Sequence, residues 1–368
     1  MASADSMTKS EERPEPAALG LDLWGNRLPV HESAPSAPLG HSWPRRPGSI
    51  RRTMTIEVDW PDGSPLEGHF IGRARDIFTP FEGGEPRLLA QDGISGHFSD
   101  RRTIADVASV PPRAEVAALS GERAGSNLRT AIDRVLHVEK VTGAPLYLLL
   151  DDLAGASLVC MMAWARWHPG YMEEQLRAAA EGGAALTLPS MEGVCIGFRP
   201  GSHALDRKPG EHGAHVSDVL PLPDPADPQG WHDFAVTGNV PGFRRARLID
   251  IWREEGLIRV EALFQDSSSQ PDTDIRQAVH EYRLSATADA ATGKLLSLAA
   301  TPGTLPYAEC PAAMVNVDAL LGTRMDELRD TVLVRLKRTA GCTHLNDMIR
   351  SLAEAPVLAE RLAVYLSA

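Results

Sequence analysis

The sequence has few cysteines, no long apolar run and no cluster of basic residues. Four cysteines in 368 residues, at positions 160, 195, 310 and 342, are too few and too scattered for a disulfide framework, which predicts reduced thiols. No apolar run approaches the roughly 18–20 residues of a membrane span, and the N-terminus lacks the pattern of a secretory signal. A net charge of −12 without a long Lys/Arg cluster argues against nucleic acid or an anionic membrane as partner. We therefore expect a cytoplasmic protein.

Three common catalytic motifs are also missing. The chain contains no GxSxG elbow, no GxxxxGK[ST] loop and no GxGxxG turn. Their absence counts against a serine hydrolase of the common type, a P-loop nucleotide enzyme and a dinucleotide oxidoreductase. The 43% hydrophobic content of a chain this long is nevertheless enough to bury a substantial core.

The chain shows internal similarity between its two halves. The stretch PGSIRRTMTIEVDW recurs as PGFRRARLIDIW, so that Arg51 and Arg52 correspond to Arg244 and Arg245 at an offset of 193 (244 − 51). PRAEVAAL resembles PYAECPAAM at an offset of 194 (306 − 112), and LLLDDL falls where AGCTHL stands at an offset of 192 (345 − 153). A nearly constant offset indicates a duplicated unit of normal domain size.

The patterns of both halves predict strands followed by helices. RARLIDIW with LIRVEALFQ, and HEYRLSATAD with KLLSLAATPG, have the features of two β-hairpins, and the segments after residue 311 have helical spacing. The expected fold is α+β, with two pseudo-symmetric repeats of antiparallel strands followed by helices. The expected divisions are a disordered or strap-like arm at 1–42, a first repeat at 43–198, a Pro/His/Asp-rich connecting loop at 199–240 that is a candidate lid or interface, and a second repeat at 241–368.

The stretch KRTAGCTHLNDMIR places Cys342, Thr343 and His344 at the start of a predicted helix. A helix N-terminus favours anions and lowers the pKa of a nearby thiol, so this position suits catalysis. It also suits an ordinary cap, in which Thr343 accepts a backbone N–H bond and Gly341 supplies an unusual backbone angle.

The second half resembles a bacterial family catalogued as domain of unknown function 2889. The resemblance covers about residues 240 to 355 and is carried by RRARLIDIWREEGLIRVEALFQDS, VHEYRLSATAD, LPYAECPAAM and the signature GCTHL. The first half looks like a diverged copy that lost the signature, and Gly-Thr-Leu replaces a usual acidic residue before Pro306. The family is loosely associated with aromatic catabolism, including C–C lyases that release formaldehyde from lignin-derived dimers. The positions that match the family pattern are Asp266, His280, Tyr307, Cys310, Cys342 and His344.

His344 is the main catalytic candidate, as a general acid or base near neutral pH. A buried histidine that locks the turn is an equal alternative. Asp152 stands at its place in the first copy, and we expect this carboxylate to lie at similar depth and to orient His344. Cys342 is a candidate nucleophile, ranked below acid/base chemistry. Zinc bound by Cys310, Cys342, His344 and His280 is a further alternative, although the spacing gives it little support.

Three other groups are candidates for binding. Arg52 and Arg245 could anchor an anionic group, or each arginine pair could comprise one exposed and one salt-bridged residue. Trp164, Trp167 and His168 could line a pocket for a flat apolar ligand, although their helical spacing favours core packing. A metal-like string, EHGAHVSD, lies in the connecting loop and is interpreted as solvated.

These observations favour a cofactor-independent, metal-free acid/base enzyme, a lyase or isomerase, that acts on a small apolar or aromatic molecule. His344 or His280 would remove a hydroxyl proton, and Tyr307 or an arginine would stabilise a departing phenoxide. The alternative is a non-catalytic protein that binds a ligand or a partner and uses GCTHL as a structural turn. A homodimer is left open.

Overall fold

The computed structural model describes residues 15–81, 84–100, 102–171, 174, 177, 191–205, 214–235 and 239–367. These residues form one nine-stranded antiparallel sheet with helices on one face, so the α+β prediction is confirmed. The strands are β1 (Ser49–Asp59), β2 (His69–Thr79), β3 (Arg87–Ser99), β4 (Thr103–Val110), β5 (Ser217–Val219), β6 (Gly242–Glu254), β7 (Leu257–Gln270), β8 (Thr273–Asp289) and β9 (Leu295–Pro302).

The helices follow the strands in each half of the chain. They are α1 (Ser126–Val135), α2 (His137–Thr142), α3 (Pro145–Val159), α4 (Met161–Trp167), α5 (Leu328–Arg335), α6 (Thr343–Ser351) and α7 (Ala355–Ser367). A long 3-10 stretch, Cys310–Leu320, precedes α5 where helical spacing was predicted. The signature GCTHL therefore lies at the beginning of α6, as predicted.

The sheet is built around the pairing of β1 with β6. Its order is β4-β3-β2-β1-β6-β7-β8-β5, with β9 also paired to β8, so a strand meander extends from each side of the central pair. Arg51 of β1 pairs with Asp250 of β6, and Arg244 of β6 pairs with Glu57 of β1. The offset of 193 (244 − 51) relates Arg51 to Arg244 and Glu57 to Asp250. The two cross-strand ion pairs are therefore equivalent in the internal repeat. The two halves thus occupy matching positions on either side of the centre of the sheet.

The two faces of the sheet are covered differently. Alternate side chains of the central strands, such as Ile50 and Met54 of β1 and Ile249 of β6, pack against the helices in one large core. The opposite face carries a smaller cluster in which Leu222 and Trp231 of the connecting segment cover Leu248. Both faces of β1 and β6 are therefore buried, which explains why these strands carry so few exposed residues.

The N-terminal arm and the connecting segment are ordered covers in the part of the chain that the structure describes. Ser42 donates a hydrogen bond to the carbonyl of Leu222, and the indole of Trp231 donates one to Ser42. The arm is thus strap-like from residue 15 onward. The segment 199–240 contributes the short strand β5 and packs on the sheet, but Glu211 and His212 of the predicted metal-like string lie outside the described residues.

One helical stretch, Pro145–Trp167, has the length and apolar composition of a membrane span, with a mean hydropathy of 1.6. The prediction that no apolar run approaches such a length is wrong for this stretch. Its most apolar window is 78% buried inside the molecule, as expected for a core helix. Asp151 and Asp152 in its middle are paired with arginines of other elements.

Candidate active site

The candidate site is built on a buried ion pair between neighbouring strands. Arg245 of β6 lies opposite Asp266 of β7, and its Nε and Nη2 atoms donate to the two carboxylate oxygens at 2.8 and 2.9 Å. Both side chains are fully buried. The pair is bidentate, so the carboxylate is held in one orientation at the helix-covered face of the sheet.

His280 of β8 is aimed at this carboxylate by a β-bulge. The β7–β8 register pairs Asp266 with His280 but then shifts, so that Ser267 pairs with Ala278. Such bulges re-aim side chains and are frequent beside active sites. The Nδ1 atom of His280 lies 3.3 Å from Asp266 Oδ2 without forming a hydrogen bond of normal geometry.

His344 reaches the same carboxylate from the first turn of α6. Its Nε2 atom lies 3.8 Å from Asp266 Oδ2, and its ring stacks on His280 with centroids 3.4 Å apart and planes inclined by 20°. The other ring nitrogen, Nδ1, lies 3.4 Å from the hydroxyl of Thr343. The side chain of His344 is 13% exposed and that of His280 is 8% exposed, so His344 is the histidine closer to solvent.

The environment keeps both histidines neutral. Burial lowers the pKa of His280 against the opposing effect of Asp266. Burial lowers the pKa of His344 well below its ordinary value, and His280, Arg245 and Arg247 lower it further. The pKa of Asp266 stays low although burial opposes this, because Arg245 and His280 stabilise the carboxylate. The arrangement therefore offers two neutral imidazoles and one carboxylate, a set that can accept and pass on a proton.

The corresponding position in the first half of the chain, around Arg52, is occupied by ion pairs and hydrogen bonds within the protein. Arg52 donates to both oxygens of Asp76 at 2.7 Å, as Arg245 does to Asp266. The remaining donors of Arg52 bond Glu354 and the carbonyl of Gly143. Arg52 is fully buried and has protein partners for its guanidinium, so the structure does not support its predicted role in binding substrate.

The four arginines of the repeated motif are all ion-paired. Each has its carboxylate partner in a neighbouring strand. The prediction that each pair comprises one exposed residue is wrong, because both faces of the central strands are covered. The buried Nη1 atoms of Arg51 and Arg245 have no hydrogen-bond partner among the described residues.

The thiol of Cys342 is buried behind the histidines. Its sulfur lies 4.0 Å from His344 Nδ1 and accepts a hydrogen bond from the Tyr282 hydroxyl at 3.5 Å. Burial raises the pKa of Cys342, although the helix N–H groups and Tyr282 act in the opposite direction. The expected lowering of the thiol pKa at the helix start is therefore outweighed, which disfavours Cys342 as a nucleophile.

One group of side chains has the composition of a metal site. Among the described residues, Asp266, His280 and His344 alone form a set of three whose ligand atoms all lie within 4.8 Å of one another. Cys310 and Cys342 do not join such a set, so the alternative of a Cys₂His₂ zinc site is not supported. Both oxygens of Asp266 already accept hydrogen bonds from Arg245, and an ion here would have to compete with that cation.

The start of α6 differs from the predicted cap. Cys342 occupies the N-cap position, and no side chain caps the helix. Gly341 has an extended backbone with φ −138°, which does not require glycine. Its role is steric, because a Cβ atom here would lie 2.4 Å from the carbonyl oxygen of Leu336.

Two predicted site residues lie in other surroundings. Asp152 of α3 accepts hydrogen bonds from Arg247 Nε and Nη2 at 2.8 and 2.7 Å, so the carboxylate that faces His344 is Asp266 and not Asp152. Tyr307 packs edge-to-face on Phe198, with ring centroids 5.5 Å apart. Tyr282 contacts the GCTHL signature through Cys342, and the sequence does not indicate this contact because strand alternation does not reveal what lies above the sheet.

The aromatic helix α4 packs against the protein interior. Trp164 is buried, stacks on His168 at 4.2 Å between centroids and meets Trp60 edge-to-face at 5.8 Å. The indole of Trp167 donates to the hydroxyl of Ser269. Core packing, the alternative that the helical spacing favoured, describes Trp164 in the structure.

A cleft of about 300 Å³ opens beside the first turn of α6. Thr343 and Asp347 of α6 and Gly155 of α3 lie on its wall. The carboxylate of Asp347 lies 3.8 Å from the Nη1 atom of Arg245, so this residue of the cleft wall contacts the Arg245–Asp266 pair. Gly155 makes this approach sterically feasible, because a Cβ atom there would lie 1.8 Å from Arg245 Nη1.

Comparison with known proteins gives one match. Residues 243–358 match the model of a family described as "Protein of unknown function (DUF2889)". The match contains Asp266, His280 and His344 together with the GCTHL signature, and it confirms the resemblance seen in the sequence. No curated protein and no solved structure matches the chain significantly.

Proposed function

We propose that the protein is an acid/base enzyme, of the carbon–carbon lyase class, acting on a small aromatic molecule. The observation that supports this is the stacked pair of neutral histidines on the buried carboxylate of Asp266. A neutral imidazole has an unprotonated ring nitrogen that can accept a proton, and Thr343, the residue before His344, lies on the wall of the cleft. In this proposal the reaction needs no cofactor and takes place in the cytoplasm.

His344 acts as the base, because it is more exposed than His280 and adjoins Thr343 on the cleft wall. It removes the proton of a primary alcohol on the substrate. The bond from the alcohol carbon to its neighbour breaks and releases formaldehyde, and its electron pair forms a C=C bond as an aryloxide leaves the next carbon. The proton returns from His344 to the aryloxide, so the products are formaldehyde, an alkene and a phenol.

The remaining groups support this proton transfer. Asp266 stabilises the imidazolium that forms, and His280 fixes the ring plane of His344 by stacking. Cations along the cleft stabilise the negative charge on the departing oxygen. The sequence predicts Tyr307 or an arginine for this role, and in this proposal arginines of the cleft take it.

The test is a screen for formaldehyde release from aryl ethers that carry a hydroxymethyl group on the carbon next to the ether carbon. For a substrate that is turned over, His344→Gln should lower kcat by about 10²–10⁴-fold while the melting temperature changes little. His97→Gln, which replaces an exposed histidine of β3, is the matched control and should keep full activity.

Two results would count against the proposal. A variant His344→Gln that keeps its activity but loses stability would identify GCTHL as a structural turn. Aromatic ligands that bind without any turnover would favour the alternative of a ligand-binding protein.

A further inference from the structure

The cleft beside α6 concentrates positive charge in a protein with a net charge of −12. Four of its lining residues are cations: Arg102, Arg129, Lys337 and Arg338. Asp347 is the one acidic residue among the residues that line it. The local charge is therefore opposite in sign to that of the whole chain.

Two of these cations, Arg102 and Lys337, have no carboxylate partner among the described residues. Arg129 is neutralised by Asp151 and Asp347. Arg102 instead donates to neutral acceptors, the hydroxyl of Ser157 and the carbonyls of Ala124 and Ala154. Within the described part of the chain, neither Arg102 nor Lys337 forms an ion pair with a carboxylate. The partner of Arg338 is Glu15 of the arm, in a pair that is largely exposed.

The backbone of Arg338 gives an independent sign of constraint. Its φ is +51°, a left-handed conformation that is uncommon for arginine. Such conformations persist where the surrounding structure imposes them and often occur at ligand-binding sites. The side chain of Arg338 contacts Glu15 of the arm and also lines the cleft.

A second independent feature lies beneath the cleft. The Nη1 atom of Arg245 is buried and has no hydrogen-bond partner among the described residues, and it lies against Gly155 and Asp347 of the cleft wall. The uncapped N-terminus of α6 adds the positive end of a nine-residue helix at the same wall.

The same cleft has an apolar side. Leu158, Val194 and Leu333 line it, and their side chains belong to the exposed large hydrophobics of the molecule, at 45%, 39% and 45%. Apolar groups beside unneutralised cations are complementary to a molecule with an apolar body and an anionic group. A single departing oxygen does not require two unpaired cations and a third that is paired only at the surface.

We infer that this cleft binds the carboxylate of an aryl carboxylic acid, and that the substrate of the enzyme carries such a group in its ground state. The ring packs on the leucines and Val194, and Arg102, Lys337 and Arg338 hold the carboxylate. The identification of this ligand as the substrate rests on the proposed function.

The test measures binding of benzoate and of its neutral isostere benzamide by NMR, with no turnover involved. Wild-type protein should bind benzoate at least about tenfold more tightly than benzamide, and 0.5 M NaCl should weaken the binding of benzoate alone. The double variant Arg102→Met/Lys337→Met should lose the preference. Arg102→Lys should retain part of it, and Arg134→Gln, a surface cation of α1, is the matched control for lost charge.

The outcomes separate the inference from the proposed function. The inference is overturned if benzoate does not bind or if benzoate and benzamide bind equally well. It is also overturned if the double variant has a normal melting temperature and an unchanged preference for benzoate. Turnover of neutral aryl ethers without benzoate binding overturns it and leaves the lyase proposal in place. Benzoate binding that persists in His344→Gln, in a protein that turns over no substrate, supports the cleft and counts against the lyase.

Discussion

The imidazole rings of His280 and His344 lie face to face, 3.4 Å apart between centroids, at one buried carboxylate. The two residues come from a strand and a helix separated by 64 positions (344 − 280). Their stacking disfavours a doubly protonated state, because two positive charges at this distance repel each other strongly in a buried site. The pair can therefore take up one proton at a time, as a base must.

The ion pair below the histidines should contribute strongly to stability. Asp266→Ala leaves the fully buried Arg245 without its carboxylate, and we expect a loss of about 3–5 kcal/mol in the free energy of unfolding. Urea denaturation measures it. Asp326→Ala, which removes the partner of the exposed Arg324, should lower the free energy of unfolding far less. Similar losses for the two variants would contradict the account.

Space at Gly155 should be essential for the position of Arg245. A Cβ atom at Gly155 would lie 1.8 Å from Arg245 Nη1, so Gly155→Ala must displace the guanidinium and should destabilise the fold by about 1–3 kcal/mol. Gly125→Ala at the same cleft is the control, since no atom lies closer than 4.0 Å to its Cβ position. Thermal unfolding of both variants checks this; an unchanged Gly155→Ala would show that the guanidinium moves freely.

Acid should destabilise the protein through His232. This buried histidine bonds the hydroxyls of Thr53 and Thr55, and burial together with Arg75, Arg73 and Arg244 lowers its pKa to about 3. The unfolded chain binds a proton near pH 6.5 that the folded protein does not, so the stabilising contribution is complete above pH 6.5. It is lost as the pH falls toward 3.

The expected size of this effect is roughly 1.4 kcal/mol per pH unit between those limits. Urea unfolding at several pH values measures it, and His232→Gln should show a shallower dependence than the wild type. Identical slopes in the two proteins would mean that His232 is protonated in the folded state.

The thiols should be inert in the native protein. All four cysteines are buried, and burial raises the pKa of Cys160 and of Cys195 to about 12. A colorimetric disulfide reagent should therefore react with four thiols per chain in guanidinium and very slowly with native protein. Rapid modification of Cys342 would instead restore the nucleophilic interpretation of the signature.

Much of the fold but only part of the candidate site could be predicted from the sequence. Alternating apolar residues and the repeated arginine pairs predict the strands and the matching of the two halves. The contact between His280 and His344 depends on a one-residue bulge in β8 and on where α6 meets the sheet, and neither leaves a periodic signal. The partners of Arg247 and Arg245 could not be assigned, because a charged residue in a strand is normally expected to be exposed.

The central claim is that His344 and His280 are neutral imidazoles poised for proton transfer. Nitrogen-15 NMR of histidine-labelled protein reports the protonation state and tautomer of each ring directly, with His344→Gln and His280→Gln providing the assignments. We expect both rings to be neutral at pH 7 and His344 to titrate well below pH 6.5. A cationic His344 at pH 7, or ring signals that change when a chelator is added, would contradict this account and make the three residues a charge-paired or metal-binding cluster.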